Sequence, residues 1–378
     1  MGTVIENTRL FEKYDDKVKK LKILKEVSQV LNSTLDEKEV RRRAMEAATR
    51  LMNAEVGSLL LIDQKTRELF FEVALGERGE QVKEIRLAMG EGIAGWVAEI
   101  GQPLIVNDVQ KDPRFSRKAD DKSAFKTRNM ICVPVKIRDK VSGVLQAINK
   151  LNGQPFTQWD LEEFGSLAAQ VAIAIENANL YKELKEAFLG TAEALGDAIE
   201  AKDAYTAGHT RRVLSYSLLM GRHLDITPAE LENLKLAAAL HDIGKIGVED
   251  QILQKQGKLN EAEKKKMDNH TVIGPKIVEN IKQMRPVIPG ICYHHEEYDG
   301  TGYPQQLKGE QIPLIARIIA VADCFDAMTT DRPYRKALSI QTALDELQKM
   351  AGTQFDGKVV EAFIRAYQSG DLIYYSSQ

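Results

Sequence analysis

The sequence predicts a multidomain chain of two fold classes: an α+β module, built as an antiparallel sheet flanked by helices, joined by a long helix to an all-α domain. Three observations predict this. The chain has 378 residues, more than one hydrophobic core ordinarily organises. Short apolar runs of strand length fill residues 57 to about 150, and helical periodicity takes over from about 190 to 378. All six histidines lie in that second half, so any imidazole chemistry belongs to the helical domain.

Residues 8–50 read as helix, because Tyr14, Val18, Leu21, Leu24 and Leu31 recur at roughly helical spacing among lysines and glutamates. GSLLLIDQKTRELFFEVAL holds two β-rich runs around a polar QKTRE turn, a hairpin pattern. QPLIVNDV, NMICVPVKI and SGVLQAINK add three more apolar runs, with GIAGWVAEI as a short helix among them. From PFTQWDLEEF a helix runs to about residue 203, with no proline or turn cluster to stop it. Its apolar stripe is Val171, Ile175, Ala178, Leu184, Phe188, Leu195 and Ile199. The stripe fits a parallel homodimer seam, and its first half fits burial against its own domain equally well. Beyond it, glycine-rich turns punctuate the helices at DAYTAGHT, HDIGKIG, KQGKLN, DGTGYP and TTDRPYR.

Composition narrows the function classes. A chain 43% hydrophobic and 28% charged is not disordered in bulk. A net charge of −3 gives no electrostatic ground for a nucleic-acid polymer or an anionic membrane as partner. MGTVIENTRLFEKYDDKVKK lacks the apolar centre of a secretory signal, and runs such as IARIIAVADCF are broken by charge too early to span a bilayer. Cys132, Cys292 and Cys324 make no disulfide framework; they fit buried thiols in a reducing, cytoplasmic setting.

The chemistry concentrates in the helical half. His209 sits in YTAGHT, His241 and Asp242 end the apolar helix LKLAAALHD, and His270 sits in MDNHTVIG. His294 and His295 follow VIPGICY, and Asp323 lies inside the apolar helix IARIIAVADCFDAM, where a carboxylate is costly to bury unless paired or metal-bound. Taken singly, each is an ordinary satisfied or exposed side chain. Together, five histidines and two aspartates at the ends of apolar helices converge on one interior. Imidazole and carboxylate suit iron, manganese, zinc or nickel, and the lack of cysteine disfavours a structural zinc knot. The set is too large for one ion. It suits two divalent ions bridged by a carboxylate, with Asp242 as the natural bridge.

HDIGKIG, then His270, then HHEEYDGTGYP, then VADCFDAMTTDRPYR and GTQFDGKVVEAF resemble, in order and spacing over about residues 190 to 365, the HD-GYP phosphodiesterases, a branch of the HD metal-dependent phosphohydrolases. The resemblance implies an all-α hydrolase of the bacterial second messenger cyclic di-GMP, acting through a metal-bridged hydroxide on iron or manganese. It carries the metal ligands to His209, His241, Asp242, His270, His294, His295 and Asp323, with Asp242 and Lys245 catalytic. Lys245, Gly302, Tyr303, Pro304, Arg332 and Arg335 become substrate-binding, the arginines as planar forks for phosphate and Tyr303 at the rim for base stacking. The glycines fit plain turn geometry equally well. His223 matches no motif. Members with a third ion place a glutamate where this chain has Tyr205, so two ions are expected; the stand-ins for a third are Asp203 and the more distant Glu200, which is expected to face solvent.

GEGIAGWVAEIGQPLIVNDVQKDPRF, NMICVPV and SGVLQAINK resemble a GAF domain, over about residues 21 to 180, which implies a sensor with a small-molecule pocket on one face of the sheet. Asn149-Lys150, Phe156 and Asp160 are similar to a motif of cyclic-nucleotide-binding GAF domains, with Leu161 where that motif has its acidic residue. Thr157 with Asp160 also reads as a helix capping box. The expected boundaries are an N-terminal helical segment 1–20, a GAF sensor 21–180, a helical linker 181–200 and an HD-GYP domain 201–378. Another HD-domain nucleotide phosphohydrolase and a catalytically weak cyclic di-GMP-sensing module are the rival readings.

Overall fold

The computed structural model describes residues 37–75, 79–202, 208–255, 257–331 and 335–370, and divides the chain into two units, Met1–Leu184 and Lys185–Gln378. Of the helix expected over residues 8–50, the part before residue 37 lies outside the described residues, as do segment 1–20, Asp203, Tyr205 and Arg332.

In the first unit, helix α1 (Glu37–Leu51) leads into β1 (Ala54–Ile62) and β2 (Leu69–Ala74), the hairpin read from the sequence. Helix α2 (Gly79–Val82), strand β3 (Arg86–Leu87) and helix α3 (Gly92–Ile100) follow, then β4 (Leu104–Val106), α4 (Lys118–Ser123), β5 (Met130–Ile137) and β6 (Lys140–Lys150). The strands form one antiparallel sheet in the order β3-β2-β1-β6-β5-β4. Alternation along the strands gives it two buried faces. Leu59, Leu145, Ile131 and Val133 pack in a cluster with α1 and the long helix α5 (Gln158–Glu200), while Leu60, Val144, Met130 and Cys132 pack in a second cluster with α3. Only Cys132 of the three cysteines is fully buried, and burial pushes its thiol up to about 12.

The Asn149-Lys150…Asp160 constellation is a structural clamp. Lys150 Nζ lies 2.5 Å from the buried Asp160 carboxylate, which also accepts from the Thr157 amide at 2.7 Å and the Thr157 hydroxyl at 2.9 Å. Asn149 is fully buried, with its side chain on Arg128, Lys126 and Glu55. The capping reading of Thr157 and Asp160 holds, because both reciprocal bonds form.

The apolar stripe on α5 divides. Val171, Ile175 and Ala178 are buried in the first unit and Ile199 in the second, but Leu184 is 68% and Leu195 50% exposed. A second line, Ile173, Asn177, Leu180, Leu184, Ala187 and Thr191, is exposed throughout and recurs at alternating spacings of four and three.

The second unit is helical. It contains α6 (His209–Arg222), α7 (Pro228–Leu240), α8 (Asp250–Leu253), α9 (Glu261–Asp268), α10 (His270–Val278), α11 (Ile288–Tyr293), α12 (Leu314–Thr329), α13 (Ile340–Lys349) and α14 (Gly357–Gln368). Capping boxes at Thr227–Glu230 and Asn260–Glu263 start α7 and α9. Phe325, Tyr216 and Phe363 meet edge to face in the core. Arg317, the charge that interrupts the apolar α12, is paired with the buried Asp356 at the start of α14. No helix of the described residues is long and apolar enough to cross a membrane.

Candidate metal centre

Three imidazoles are locked by one local device. His241 Nδ1 lies 2.8 Å from the Ala238 carbonyl, His270 Nδ1 2.7 Å from Met267 O, and His294 Nδ1 2.9 Å from Ile291 O. Each contact reaches back three residues to a carbonyl at a helix end, where free carbonyls are available. A neutral ring that donates from Nδ1 carries a bare lone pair on Nε2. The lone pairs point into the site. His241 Nε2 is buried with no hydrogen-bond partner, and His270 Nε2 and His294 Nε2 face each other at 3.4 Å. Two acceptors at that distance repel, and a buried acceptor without a partner is costly. A cation among them resolves both problems, so the residues fit a bound metal.

The atoms able to ligate a metal fall into two groups, His209 with His241 and Asp323, and His270 with His294 and His295, each with those atoms within 4.8 Å of one another. Asp242 lies between the groups. Its Oδ1 is 3.5 Å from His270 Nε2, while Oδ2 is 3.5 Å from His241 Nε2 and 3.9 Å from His209 Nε2. Asp323 Oδ1 is 3.5 Å from His209 Nε2. Burial opposes ionisation of Asp242, but Lys245 and the neighbouring imidazoles hold its carboxyl well below the usual range. Burial likewise lowers His270, His294 and His295, which keeps them neutral and able to ligate. Lys245 Nζ stands 2.6 Å from Asp242 Oδ2.

The glycine of HDIG is a packing requirement. A Cβ at Gly244 would lie 1.9 Å from the His270 carbonyl oxygen, so only glycine lets this turn press against the start of α10. Gly302 is similar, because its Cβ would lie 2.2 Å from the Glu297 nitrogen. Tyr303 stacks on His295 with centroids 5.0 Å apart and planes at 25°. Burial and the neighbouring Asp268 raise its hydroxyl, which stays protonated. One face of the ring is therefore taken by His295. Pro304 sits half-buried beside it in the same loop. Arg335 is exposed, and its guanidinium donates to the Ala327 carbonyl near the end of α12.

Two residues were not singled out in the sequence as parts of the site. Asp326, 2% exposed, receives His209 Nδ1 at 2.7 Å and the Arg212 guanidinium at 2.5 Å. It fixes the ring so that Nε2 faces Asp323. The signal was present, since Asp326 lies one turn beyond Asp323 on the same apolar helix. Glu296, 3% exposed, accepts from the Gln305 amide at 2.6 Å and the Leu307 amide at 2.9 Å, anchoring the GYP loop. Glu200 does not simply face solvent. It is half-buried and accepts from the Gly208 amide at 3.0 Å and from the Thr210 amide, because the first amides of α6 need acceptors.

Residues 193–359 match the HD domain family and residues 36–175 the GAF domain family. The chain is 38% identical over 199 residues to the 3'3'-cGAMP-specific phosphodiesterase 3 of Vibrio cholerae, a match covering 52% of this chain and 43% of that protein. It is 39% identical over 201 residues to the cyclic di-GMP phosphodiesterase response regulator RpfG of Xanthomonas campestris pv. campestris, covering 52% of this chain and 53% of that protein. The chain thus spans about half the length of these curated relatives. A solved GAF domain from an Acinetobacter phosphoenolpyruvate-protein phosphotransferase matches at 24% identity and a TM-score of 0.38, over 43% of this chain and 97% of that one. The chain therefore joins a GAF domain to an HD domain whose relatives are cyclic-dinucleotide phosphodiesterases.

Proposed function

We propose that the chain is a metal-dependent cyclic di-GMP phosphodiesterase regulated by its GAF domain. The observation that carries this reading is Asp242 set between two groups of ligand atoms, with the bare His241 Nε2 beside it. In this reading His209, His241, Asp242 and Asp323 hold one divalent ion, and Asp242, His270, His294 and His295 hold a second, both iron or manganese. When bound, such a pair would lower the pKa of a water toward neutrality and draw charge from the phosphoryl oxygens. Lys245 is placed to hold a phosphate oxygen or to protonate the leaving oxygen. Arg332 and Arg335 receive the second phosphate. The commitment of Glu200 to the start of α6 favours two ions over three.

Residues 1–20 lead into the sensor at 21–180, and 181–200 link it to the hydrolase at 201–378. The exposed line from Ile173 to Thr191 has coiled-coil spacing, with Asn177 in register with leucines, and supports a parallel homodimer. Sedimentation of the full chain checks this: Leu180→Glu with Leu184→Glu yields monomer where the parent is dimer.

A turnover assay with iron- or manganese-loaded protein tests the function. Cyclic di-GMP is cleaved, chelation stops cleavage, and simple nucleotides are left intact. Tight binding without cleavage marks a sensing module instead, and cleavage of mononucleotides alone marks another HD-domain hydrolase. A second substrate has a specific ground, because the Vibrio cholerae relative is named for 3'3'-cGAMP at nearly the same identity. Side-by-side turnover of the two dinucleotides separates these readings.

A further inference from the structure

The first unit has a partly open cavity of about 370 Å3 between the sheet face carrying Ser58 and Gln146 and the helices α2, α3 and α4. Most of its wall is apolar, and the rings of Phe71, Phe115 and Phe125 contribute to it. Of the buried polar side chains on that wall, Ser123 donates to the Ala119 carbonyl and Thr127 to Asp120, which leaves Ser58 and Gln146. Ser58 and Gln146 are register partners across β1 and β6, and they are 2% and 5% exposed. The Gln146 amide nitrogen donates to Cys132 Sγ at 3.4 Å. Among the described residues, neither the Gln146 carbonyl oxygen nor the Ser58 hydroxyl has a partner. A hydroxyl and an amide in an apolar layer cost free energy unless something bonds to them. They form a built hydrogen-bonding end in an otherwise greasy chamber.

The charges bordering the cavity are negative. Glu55 is committed to Arg128 at 2.5 Å and Asn149 at 2.8 Å. Asp120 accepts from the Thr127 amide at 2.9 Å and the Thr127 hydroxyl at 2.6 Å, and it pairs with no cation among the described residues. A phosphate ester here would bring its charge beside the half-buried Asp120, and the described lining residues supply no cation to hold it. The lysine of the motif similar to cyclic-nucleotide-binding GAF domains is engaged elsewhere, since Lys150 is bound to Asp160, and Arg128 at the border is already paired with Glu55.

We propose that this cavity binds an uncharged, mostly apolar small molecule with one hydrogen-bonding group seated at Ser58 and Gln146, and not a cyclic nucleotide. The test uses the full chain and a neutral fluorophore bearing one N–H, N-phenyl-1-naphthylamine. Its emission rises saturably on binding, and excess cyclic GMP or cyclic AMP does not displace it. Ala119→Trp, which fills the chamber from α4, removes that binding. A second measurement stands if Ala119→Trp fails to fold. The parent binds indole more tightly than indene, the same bicycle without the N–H, and Gln146→Leu erases that preference, a loss of about tenfold for one hydrogen bond. Competitive displacement by a cyclic nucleotide overturns the proposal. So does equal binding of indole and indene by the parent, or unchanged fluorophore uptake by a folded Ala119→Trp.

Discussion

Asp160 in the first unit and Asp242 in the second are alike on paper: each is a largely buried carboxylate with a lysine close by. Lys150 Nζ is 2.5 Å from one and Lys245 Nζ 2.6 Å from the other. Their surroundings differ. Asp160 is closed by Lys150 and by the amide and hydroxyl of Thr157, and Asn149 beside Lys150 is equally engaged. Around Asp242 stand imidazoles whose donors are already held by backbone carbonyls, leaving lone pairs aimed at one another. A buried charge whose neighbours are satisfied holds the fold together. One whose neighbours are left wanting a cation marks chemistry.

The sharpest way to break this contrast is to remove both centres in turn. His241→Ala with Asp242→Ala takes ligands from both groups, so bound metal is lost and turnover falls by roughly a thousandfold or more, equivalent to about 4 kcal/mol. The fold survives, because the double substitution removes the buried, unpartnered His241 Nε2 and leaves the apolar core of the unit untouched. Metal analysis with a thermal melt reads both effects, and retained metal would refute the assignment. Asp160→Ala should do the opposite. It strands Lys150 and uncaps α5, costing about 3–4 kcal/mol of stability in a denaturant titration. Metal content of the folded fraction stays unchanged.

The contrast also explains what was legible in the sequence. Metal ligation demands particular residue types, so the histidines and Asp323 stood out against apolar helices. The tautomer locks at Ala238, Met267 and Ile291 use backbone carbonyls, which no side-chain pattern reports. The hairpin, α3 and the long α5 followed from periodicity, whereas β3, at two residues, is too short to carry a period. The stripe on α5 changes face because its step of six residues from Ala178 to Leu184 turns the helix by about 240°, so buried Val171 and exposed Leu184 were never on one line. The cavity is the least legible feature. Its wall is assembled from ordinary residues of both sheet and helices, and its single distinguishing pair becomes visible only once β1 and β6 are in register.

Asp326 sharpens the contrast from inside the second unit. It carries an ion pair with Arg212 as Asp160 does with Lys150, yet it holds a ligand ring. Asp326→Asn keeps the shape and weakens the acceptor at His209 Nδ1. Metal affinity falls by about tenfold to a hundredfold, as for other groups that orient a ligating histidine. Titration of metal into the stripped protein reads this directly, and a purely structural role would lower the melting temperature while leaving that affinity unchanged.

The smallest expected effect belongs to Arg335. It lies outside the ligand groups, exposed, with its guanidinium on the Ala327 carbonyl near the end of α12. That hydrogen bond suits a cation at a helix C-terminus and gives the side chain a structural reason to exist. The proposed function gives the same guanidinium a second role, receiving a substrate phosphate. The two roles make different predictions for Arg335→Ala. If the guanidinium holds phosphate, its removal raises KM for cyclic di-GMP by about tenfold, near 1.5 kcal/mol, with kcat and metal content unchanged. Arg335→Lys then recovers part of the affinity, because an ammonium keeps the charge but not the fork. If it only caps α12, its removal lowers stability by about 0.5–1 kcal/mol and leaves KM where it was. KM measured at two salt concentrations decides between them, since an ionic hold on phosphate weakens as salt rises and a helix cap does not alter the salt dependence of binding.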